Sequence, residues 1–267
     1  PPPPPRIAVK APTRASLIAL LEQLDTIETG PGSGPLTFPG GGRLAVTNLG
    51  KVFFPARSKK ERPLTKGDLF RHYVRVAPAL LPALADRPVV MKRFPNGITG
   101  SPFYQHRATE TPAGVRVEPV DAGEEARPHV IGGDLLTLLY TVQLASISQD
   151  PWFSRAGSED LVDHIAIDLD PPDGANFSKT LDVARWVREE LEILKAPGFP
   201  KTSGSGGLHI YVPMRANTPY DAGLLFAQIV ATRVAAKHPR AATVERSIKA
   251  RGSRIYVDYL QNIKGKT

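Results

Sequence analysis

The residues with the clearest potential for chemistry are two aspartates in the apolar segment DHIAIDLDPPDG, residues 163–174. Asp168 and Asp170 are one residue apart, so in a β-strand they project from the same face, about 7 Å apart at their Cα atoms. Two carboxylates this close repel each other, and a bound cation relieves the repulsion. Oxygen ligands suit Mg²⁺ or Mn²⁺, and a pair of such ions commonly catalyses in-line displacement at phosphorus.

A third acid lies in the segment RIYVDYLQN, where Asp258 is surrounded by the aromatic and β-branched residues typical of a strand. A lone aspartate in a strand is more often an edge residue or a hydrogen-bonded core residue, and a D-x-D pair alone is weakly specific. The three acids together favour a site for two divalent ions. We therefore predict that Asp168, Asp170 and Asp258 are both the metal ligands and the catalytic residues.

A serine- and glycine-rich segment, KTSGSGGLHIYVP, comes directly before another predicted strand. Glycines such as Gly204 allow backbone N–H groups to converge on an anion, and the hydroxyls of Ser203 and Ser205 add donors. His209 follows at the start of the strand, within reach of a phosphate oxygen. The segment matches neither a Walker loop nor a Rossmann fingerprint, and alone it is equally typical of a flexible turn. With the three acids it indicates a nucleotide triphosphate site.

The elements that must position these residues indicate an α+β fold with a largely antiparallel sheet, because strands and helices mix without a regular βαβ rhythm. Thr13 or Ser16 is expected to cap the first helix, Thr65 with Asp68 the second, and Ser178 a later one. One apolar face of that later helix is expected to contain Leu181, Ala184, Val187, Leu191 and Leu194. Helices are predicted within residues 13–28, 64–88, 132–148, 178–194 and 219–238, and strands within 87–97, 164–170, 208–214 and 254–262.

The composition favours a protein that binds polyanions. Lysine and arginine number 34 and aspartate and glutamate 26, a net charge of +8, which attracts nucleic acid, although many proteins are mildly basic. The 267 residues include no cysteine, which excludes disulfides, a thiol nucleophile and thiolate zinc sites. No apolar run approaches the roughly 20 residues of a membrane span, and five prolines stand where a signal peptide would begin. We expect a cytoplasmic protein.

The segments DLDPPDG, TSGSGGLHIYVP and YVDYLQN, in this order, resemble motifs I, II and III of the archaeo-eukaryotic primase superfamily. More closely, the chain resembles the polymerase domain of bacterial non-homologous end-joining ligase D and its stand-alone relatives, including the flanks TNLGKVFFP, RPVVMKRFPNG and DPWFSR. The resemblance implies an RRM-like antiparallel sheet that bears the acids and is flanked by helices. A second small sheet module would carry the serine–glycine segment, with the active site in the cleft between.

The resemblance also implies roles for individual residues. Those that bind the incoming nucleotide would be Ser203, Gly204, Ser205, His209, Lys92, Arg251 and Gln261. Those that bind a DNA 5′-phosphate would be Lys51 and Lys66, and those that stack on bases would be Phe103 and Tyr104. Without the resemblance both lysines would be taken as solvated surface charges, whereas two adjacent aromatics on an extended chain cannot both face inward. His164, beside the acids, is expected to be structural.

The chain departs from the resemblance at several positions. Many members have a basic residue where this chain has Gly206, and a histidine in the segment occupied here by Ser148, Gln149 and Asp150. The family continues past motif III with an arginine-bearing stretch, so the C-terminal end of the family domain is expected to be missing. We predict a proline-rich tail, accessory helix and linker over residues 1–40, and the catalytic primase-polymerase domain over residues 41–267.

The function that the resemblance implies is metal-dependent nucleotidyl transfer, with Mn²⁺ or Mg²⁺ as cofactor and NTP or dNTP as substrate. The task would be filling short gaps at DNA double-strand breaks in non-homologous end joining, with a preference for ribonucleotides. Expected partners are DNA with 5′-phosphorylated gaps or ends, a separate DNA ligase and the Ku end-binding protein, in association with a bacterial nucleoid. The alternatives are a de novo primase and a catalytically inactive module that binds 5′-phosphorylated DNA ends.

Overall fold

A computed structural model describes residues 11–121 and 125–266. The tail predicted from the five prolines at residues 1–5 therefore lies outside the described residues. The chain divides into two compact units, residues 1–157 (unit 1) and 158–267 (unit 2). Helices and strands mix in both units, which confirms the predicted α+β class. In the described part of the chain, no helix is long and apolar enough to cross a membrane.

Unit 1 combines helices with short antiparallel strands. Its elements are α1 (Arg14–Thr29), β1 (Gly34–Thr37), β2 (Arg43–Val46), β3 (Val52–Phe54), β4 (Leu64–Thr65), α2 (Lys66–Leu84), β5 (Val89–Arg93), β6 (Phe103–Gln105), β7 (Val117–Val120), β8 (Arg127–Val130), α3 (Leu135–Gln143) and β9 (Asp150–Pro151). The strands pair as β1–β2, β3–β4, β6–β5–β9 and β7–β8. Strand β1 lies inside the glycine- and proline-rich segment that was expected to be a linker.

The helices of unit 1 begin where the sequence places their caps. Thr13 caps α1, and Thr65 caps α2 in a reciprocal capping box, in which the Asp68 carboxylate accepts from the Thr65 backbone N–H at 2.8 Å. Leu24 of α1 and Phe70 of α2 are fully buried in one hydrophobic core that also includes residues of α3. Burial of these apolar side chains is what fixes the helices against one another.

Unit 2 is a five-stranded sheet covered by helices. Its elements are β10 (Leu161–Asp170), α4 (Phe177–Ile193), β11 (Phe199–Thr202), β12 (Leu208–Pro219), α5 (Tyr220–Lys237), β13 (Ala242–Thr243), α6 (Ile248–Arg251) and β14 (Ile255–Asp258). The strand order is β11-β12-β10-β14-β13, antiparallel except for the pair β13–β14. Ile165, Ile167 and Leu169 of β10 are buried, and α4 and α5 contact β10 and β12. The alternate residues of β10 therefore lie on the opposite face of the sheet.

Three expectations about unit 2 are wrong. Asn176, not Ser178, caps α4, since the Asn176 side chain accepts from the Ser178 backbone N–H. Leu181 and Leu194 are 37% and 39% exposed. The buried face of α4 consists of Thr180, Val183, Val187, Glu190 and Leu191, and Leu194 lies beyond the helix as its C-cap. The serine–glycine segment joins β11 to β12 within the same sheet that bears the acids, not within a second module. Because the turn joins two paired strands of this sheet, the sheet itself positions the turn.

Candidate active site and nucleic-acid contacts

The three acids lie together on one face of the unit 2 sheet. Asp168 and Asp170 end strand β10, and Asp258 ends β14 directly opposite Asp168 in the antiparallel register. Side chains of directly opposed residues share a face, with Cβ atoms about 5 Å apart. On the other side of β10, His209 of β12 is also paired with Asp168. The register therefore places His209, Asp168 and Asp258 in one row across three strands.

The acids perturb one another electrostatically. Burial, together with the charge of Asp258, raises the pKa of Asp168, while a side-chain hydrogen bond from Gln261 and the charge of Lys201 act in the opposite direction. Burial and the charges of Asp168 and Asp258 raise the pKa of Asp170, and the charges of Arg251 and His209 act in the opposite direction. Two carboxyl groups whose pKa values are raised by burial and by neighbouring acids are an arrangement that a cation stabilises.

The carboxylate oxygens of the three acids are ligands of the kind that divalent cations such as Mg²⁺ and Mn²⁺ prefer. Asp168 Oδ1 is buried and makes no hydrogen bond to any described residue, and His209 Nε2 lies 3.6 Å from it. Asp258 Oδ1 already accepts from the Tyr256 hydroxyl at 3.1 Å and from the Leu260 backbone N–H at 2.8 Å. In residues 11–121 and 125–266, no three Asp, Glu, His or Cys side chains are grouped as a ready ligand set. A cation would have to draw the carboxylates together by side-chain rotation.

The serine–glycine turn is organised by its first serine. Ser203 Oγ accepts from the backbone N–H groups of Ser205 and Gly207, each at 3.2 Å. The backbone N–H groups of Gly204 and Gly206 make no hydrogen bond to any described residue. Those two groups and the Ser205 hydroxyl, rather than every N–H of the turn, can therefore donate to an anion.

Glycines let the turn approach the acidic strand. Gly204 has φ of +93°, a left-handed conformation that favours glycine. A Cβ on Gly207 would stand 2.4 Å from the Leu169 carbonyl oxygen, between the two aspartates of β10. A Cβ on Gly206 would meet Pro171 at 3.4 Å, an ordinary contact. The turn is thus held against the end of β10 that bears Asp168.

Arg251 and Gln261, which the resemblance implies as nucleotide-binding residues, lie near the acids, together with a residue that the sequence analysis missed. The Arg251 guanidinium lies 3.7 Å from the ring centroid of Tyr256, whose hydroxyl donates to Asp258. Tyr256 is only 2% exposed, and burial followed by the charge of Asp258 raises its pKa to about 12. Its position two residues before Asp258, on the same face of a strand, was the signal that could have identified it.

The two lysines predicted to bind a 5′-phosphate meet in a pocket of unit 1. The backbone N–H of Lys66 donates to the Lys51 carbonyl at 2.8 Å, and both residues line a cavity of about 180 Å³ together with Arg93 and Gln143. The ammonium of the exposed Lys51 donates to the Pro95 carbonyl at 2.6 Å. Arg93, adjacent to the predicted Lys92, is a third cation here that the sequence analysis missed.

Lys66 is buried, unlike Lys51. Its ammonium donates to the Thr47 carbonyl at 3.1 Å and, at 2.9 Å each, to the carbonyl and the side-chain oxygen of Gln143. Burial, with the charges of Lys51 and Arg93, lowers the pKa of Lys66 to about 8. Three acceptors occupy all three of its donors, so it supplies the pocket chiefly with positive charge.

The aromatic pair is on β6, where both rings are accessible. Phe103 is 46% and Tyr104 58% exposed. Each lies opposite a cation of β5 in the strand register, and the Arg93 guanidinium is 5.0 Å from the Phe103 ring centroid. The Lys92 ammonium is 5.5 Å from the Tyr104 ring centroid. Lys92 therefore belongs, within unit 1, to this aromatic and basic surface.

His164 contacts Asp163 at 2.7 Å, as a structural histidine would.

The comparisons with known proteins place this chain and its fold in the primase-polymerase class. The chain belongs to the LigD primase-polymerase domain family, whose model matches residues 65–267. This confirms the resemblance to ligase D stated from the three motifs, and the family is one of nucleotidyltransferases.

The relatives are end-joining proteins much longer than this chain. The multifunctional non-homologous end joining protein LigD of Mycobacterium bovis is 30% identical over 234 residues, which cover 84% of this chain and 30% of that protein. The bifunctional protein LigD of Bacillus subtilis is 29% identical over 226 residues, covering 84% and 36%. The chain thus spans about a third of the length of these relatives.

A solved structure shares the fold. The polymerase domain from Mycobacterium tuberculosis ligase D, solved in complex with DNA, superposes with a TM-score of 0.75 at 29% identity. The match covers 84% of this chain and 79% of that one. It confirms the primase-like α+β fold predicted from the sequence.

Proposed function

We propose that this chain is a metal-dependent nucleotidyltransferase that fills short gaps at DNA double-strand breaks in non-homologous end joining, with a preference for ribonucleotides. The observation that carries the proposal is the row of acids in unit 2, where Asp258 is directly opposite Asp168, beside Asp170. A phosphate-binding turn is held against the same strand end. Nucleotidyl transfer requires carboxylates that hold metal ions and hydrogen-bond donors that hold phosphate groups, and both lie here in one place.

In this proposal the primer 3′-oxygen attacks the α-phosphorus of a bound nucleotide, and the bond to the bridging oxygen breaks as pyrophosphate leaves. Mn²⁺ or Mg²⁺ ions held by Asp168, Asp170 and Asp258 would activate the 3′-hydroxyl and stabilise the departing charge. The free N–H groups of the turn and the Ser205 hydroxyl bind the phosphate oxygens, with Ser203 and His209. Arg251, stacked on Tyr256, adds positive charge at the acids.

Unit 1 supplies the proposed contacts to DNA. The exposed ammonium of Lys51 donates to a 5′-phosphate, and the buried charge of Lys66 stabilises it. Phe103 and Tyr104 stack on bases, a contact worth about 1–3 kcal/mol per base. In unit 2, Gln261, which hydrogen-bonds to Asp168, completes the proposed nucleotide-binding set, and the role of Lys92 in nucleotide binding stays a prediction. The division of the chain at residue 40 into an accessory arm and a catalytic domain stays a prediction, as does the role of a separate ligase and Ku.

The test is primer extension on a gapped, 5′-phosphorylated duplex, with the ion and the sugar of the nucleotide varied. We expect incorporation with Mn²⁺, more from NTP than from dNTP. Asp168→Asn and Asp258→Asn should abolish incorporation and leave binding to the 5′-phosphorylated gap intact. Asp173→Asn, an exposed carboxylate three residues beyond Asp170, removes the same charge and should extend primers as wild type does. Full activity of Asp168→Asn would exclude the proposed site.

Two alternatives give different results in the same experiment. A de novo primase would start chains on a template without a primer, as the shared motifs permit. A module that binds DNA ends without catalysis would bind the gap and never incorporate a nucleotide with either ion.

A further inference from the structure

One strongly basic feature of unit 1 has no part in the proposed catalysis. Strands β3 and β4 form a hairpin, defined here as the basic hairpin, joined by the loop PARSKKERP at residues 55–63. All nine loop residues are exposed. The loop contains four cations, Arg57, Lys59, Lys60 and Arg62, against a single acid, Glu61.

Among residues 11–121 and 125–266, three of these four cations have no partner. Arg62 is committed, because its guanidinium makes a bidentate contact to the Asp68 carboxylate at 2.7 and 2.8 Å. The side chains of Arg57, Lys59 and Lys60 make no hydrogen bond or ion pair with any described residue. The Arg62–Asp68 pair ties the returning side of the loop to the first turn of α2. The hairpin is thus anchored, while its tip offers three unneutralised charges to solvent.

The base of the basic hairpin is the proposed 5′-phosphate pocket. Lys51 precedes β3, Lys66 follows β4, and a backbone hydrogen bond of 2.8 Å joins them. Burial, followed by the charges of Lys51 and Arg93, lowers the pKa of Lys66, and these three cations together make the pocket a region of positive potential. Like charges at both the base and the tip weaken a fold unless an extended polyanion lies along them.

We propose that the tip of the basic hairpin binds the sugar–phosphate backbone of the duplex downstream of the gap. The inference rests on the proposed function, in which Lys51 and Lys66 hold the 5′-phosphate that begins this duplex. Each of the three free cations is six or seven residues from the nearer of Lys51 and Lys66, a reach of about 20 Å. Base pairs rise about 3.4 Å each, so the tip contacts phosphates within roughly six base pairs of the gap.

The contact is electrostatic and independent of sequence. Lysine and arginine that neutralise phosphates release counterions, and each phosphate contact adds about 0.9 to the slope of log affinity against log salt. Three contacts give a contribution of about 2 to 3. Lysine and arginine contacts to phosphates fix the position of a protein on the duplex and carry no sequence information.

The experiment measures binding of the full chain to two 5′-phosphorylated gapped duplexes with 3 or 10 base pairs downstream of the gap, each closed by a nucleotide hairpin loop so that both stay paired. The variant replaces Arg57, Lys59 and Lys60 by Gln. The matched control replaces Arg14, Arg75 and Lys195, three exposed cations outside the basic hairpin, and so has the same net charge. Wild type and control should bind the longer duplex on the order of tenfold more tightly, with the steeper salt slope. The variant should bind both duplexes equally.

The outcomes separate this inference from the proposed function. Equal affinity of wild type for the two duplexes, or an equal loss in variant and control, would overturn the hairpin contact and leave gap filling standing. A length dependence that disappears in the variant, in a protein that never incorporates a nucleotide, would support the hairpin contact and reject the polymerase. The double variant Lys59→Gln/Lys60→Gln should lose about two thirds of the slope difference, which a misfolded loop would not reproduce.

Discussion

Raising the pH from 7 to 9 should remove most of the preference of this protein for a 5′-phosphorylated DNA end. The reason is Lys66, whose ammonium is buried beside Lys51 and Arg93 and whose pKa is lowered to about 8. The 5′-phosphate, with a second pKa near 6, stays a dianion over this range. Binding of the dianion requires the charged amine, so the affinity follows its charged fraction. That fraction falls from about nine tenths at pH 7 to about one tenth at pH 9, a tenfold loss of about 1.4 kcal/mol.

The assay is the ratio of dissociation constants for 5′-hydroxyl and 5′-phosphorylated gapped duplexes at pH 7, 8 and 9. The ratio cancels every pH effect that does not involve the phosphate. Lys66→Arg keeps its charge over this range and should give a flat profile. A wild-type ratio that is unchanged between pH 7 and 9 would refute the role of the Lys66 charge.

The same pKa shift has a consequence for stability with the opposite sign. Between pH 8 and 10.5 the folded chain binds fewer protons at Lys66 than the unfolded chain does, so its contribution to the free energy of unfolding rises with pH. The shift of 10.5 − 8 = 2.5 corresponds to about 3 kcal/mol. Compared by denaturant unfolding, wild type should gain this amount relative to Lys66→Met between pH 8 and 10.5. A constant difference would contradict the burial of the charge.

Further substitutions test separate parts of unit 2. Gly207→Ala should lower the free energy of unfolding by about 1–3 kcal/mol, because its Cβ would stand 2.4 Å from a β10 carbonyl oxygen. The control Gly206→Ala should unfold like wild type. Equal free energies of unfolding for the two variants would exclude the crowding at Gly207. Asp168→Asn should raise the melting temperature in metal-free buffer at pH 7. The pKa of Asp168 is raised, so ionisation of its carboxyl group destabilises the fold as the pH rises. A lower melting temperature of the variant would contradict this destabilisation. Asn262→Ala should cost about 2–4 kcal/mol, because the buried Asn262 side chain bonds both the N–H and the carbonyl of Ala166; near-wild-type denaturant unfolding would contradict this.

Local rules in the sequence predicted the elements well where the signal is a short pattern. Thr65 followed three residues later by Asp68 predicted the start of α2, and the structure contains the capping box. The same rules failed at α4, where Asn176 and Ser178 are both good caps two residues apart. Only the path of the backbone into the helix selects one of them.

The sequence by itself determined the chemistry of the candidate site: carboxylates one residue apart share a face of any strand, and glycines before a strand permit a tight turn. Only the tertiary structure decided that Asp258 pairs with Asp168 rather than with a neighbouring position. It also decided that Lys66 is buried while Lys51 is exposed. The physical reason is that side-chain direction follows from local backbone geometry, whereas strand register and burial depend on residues far apart in the chain.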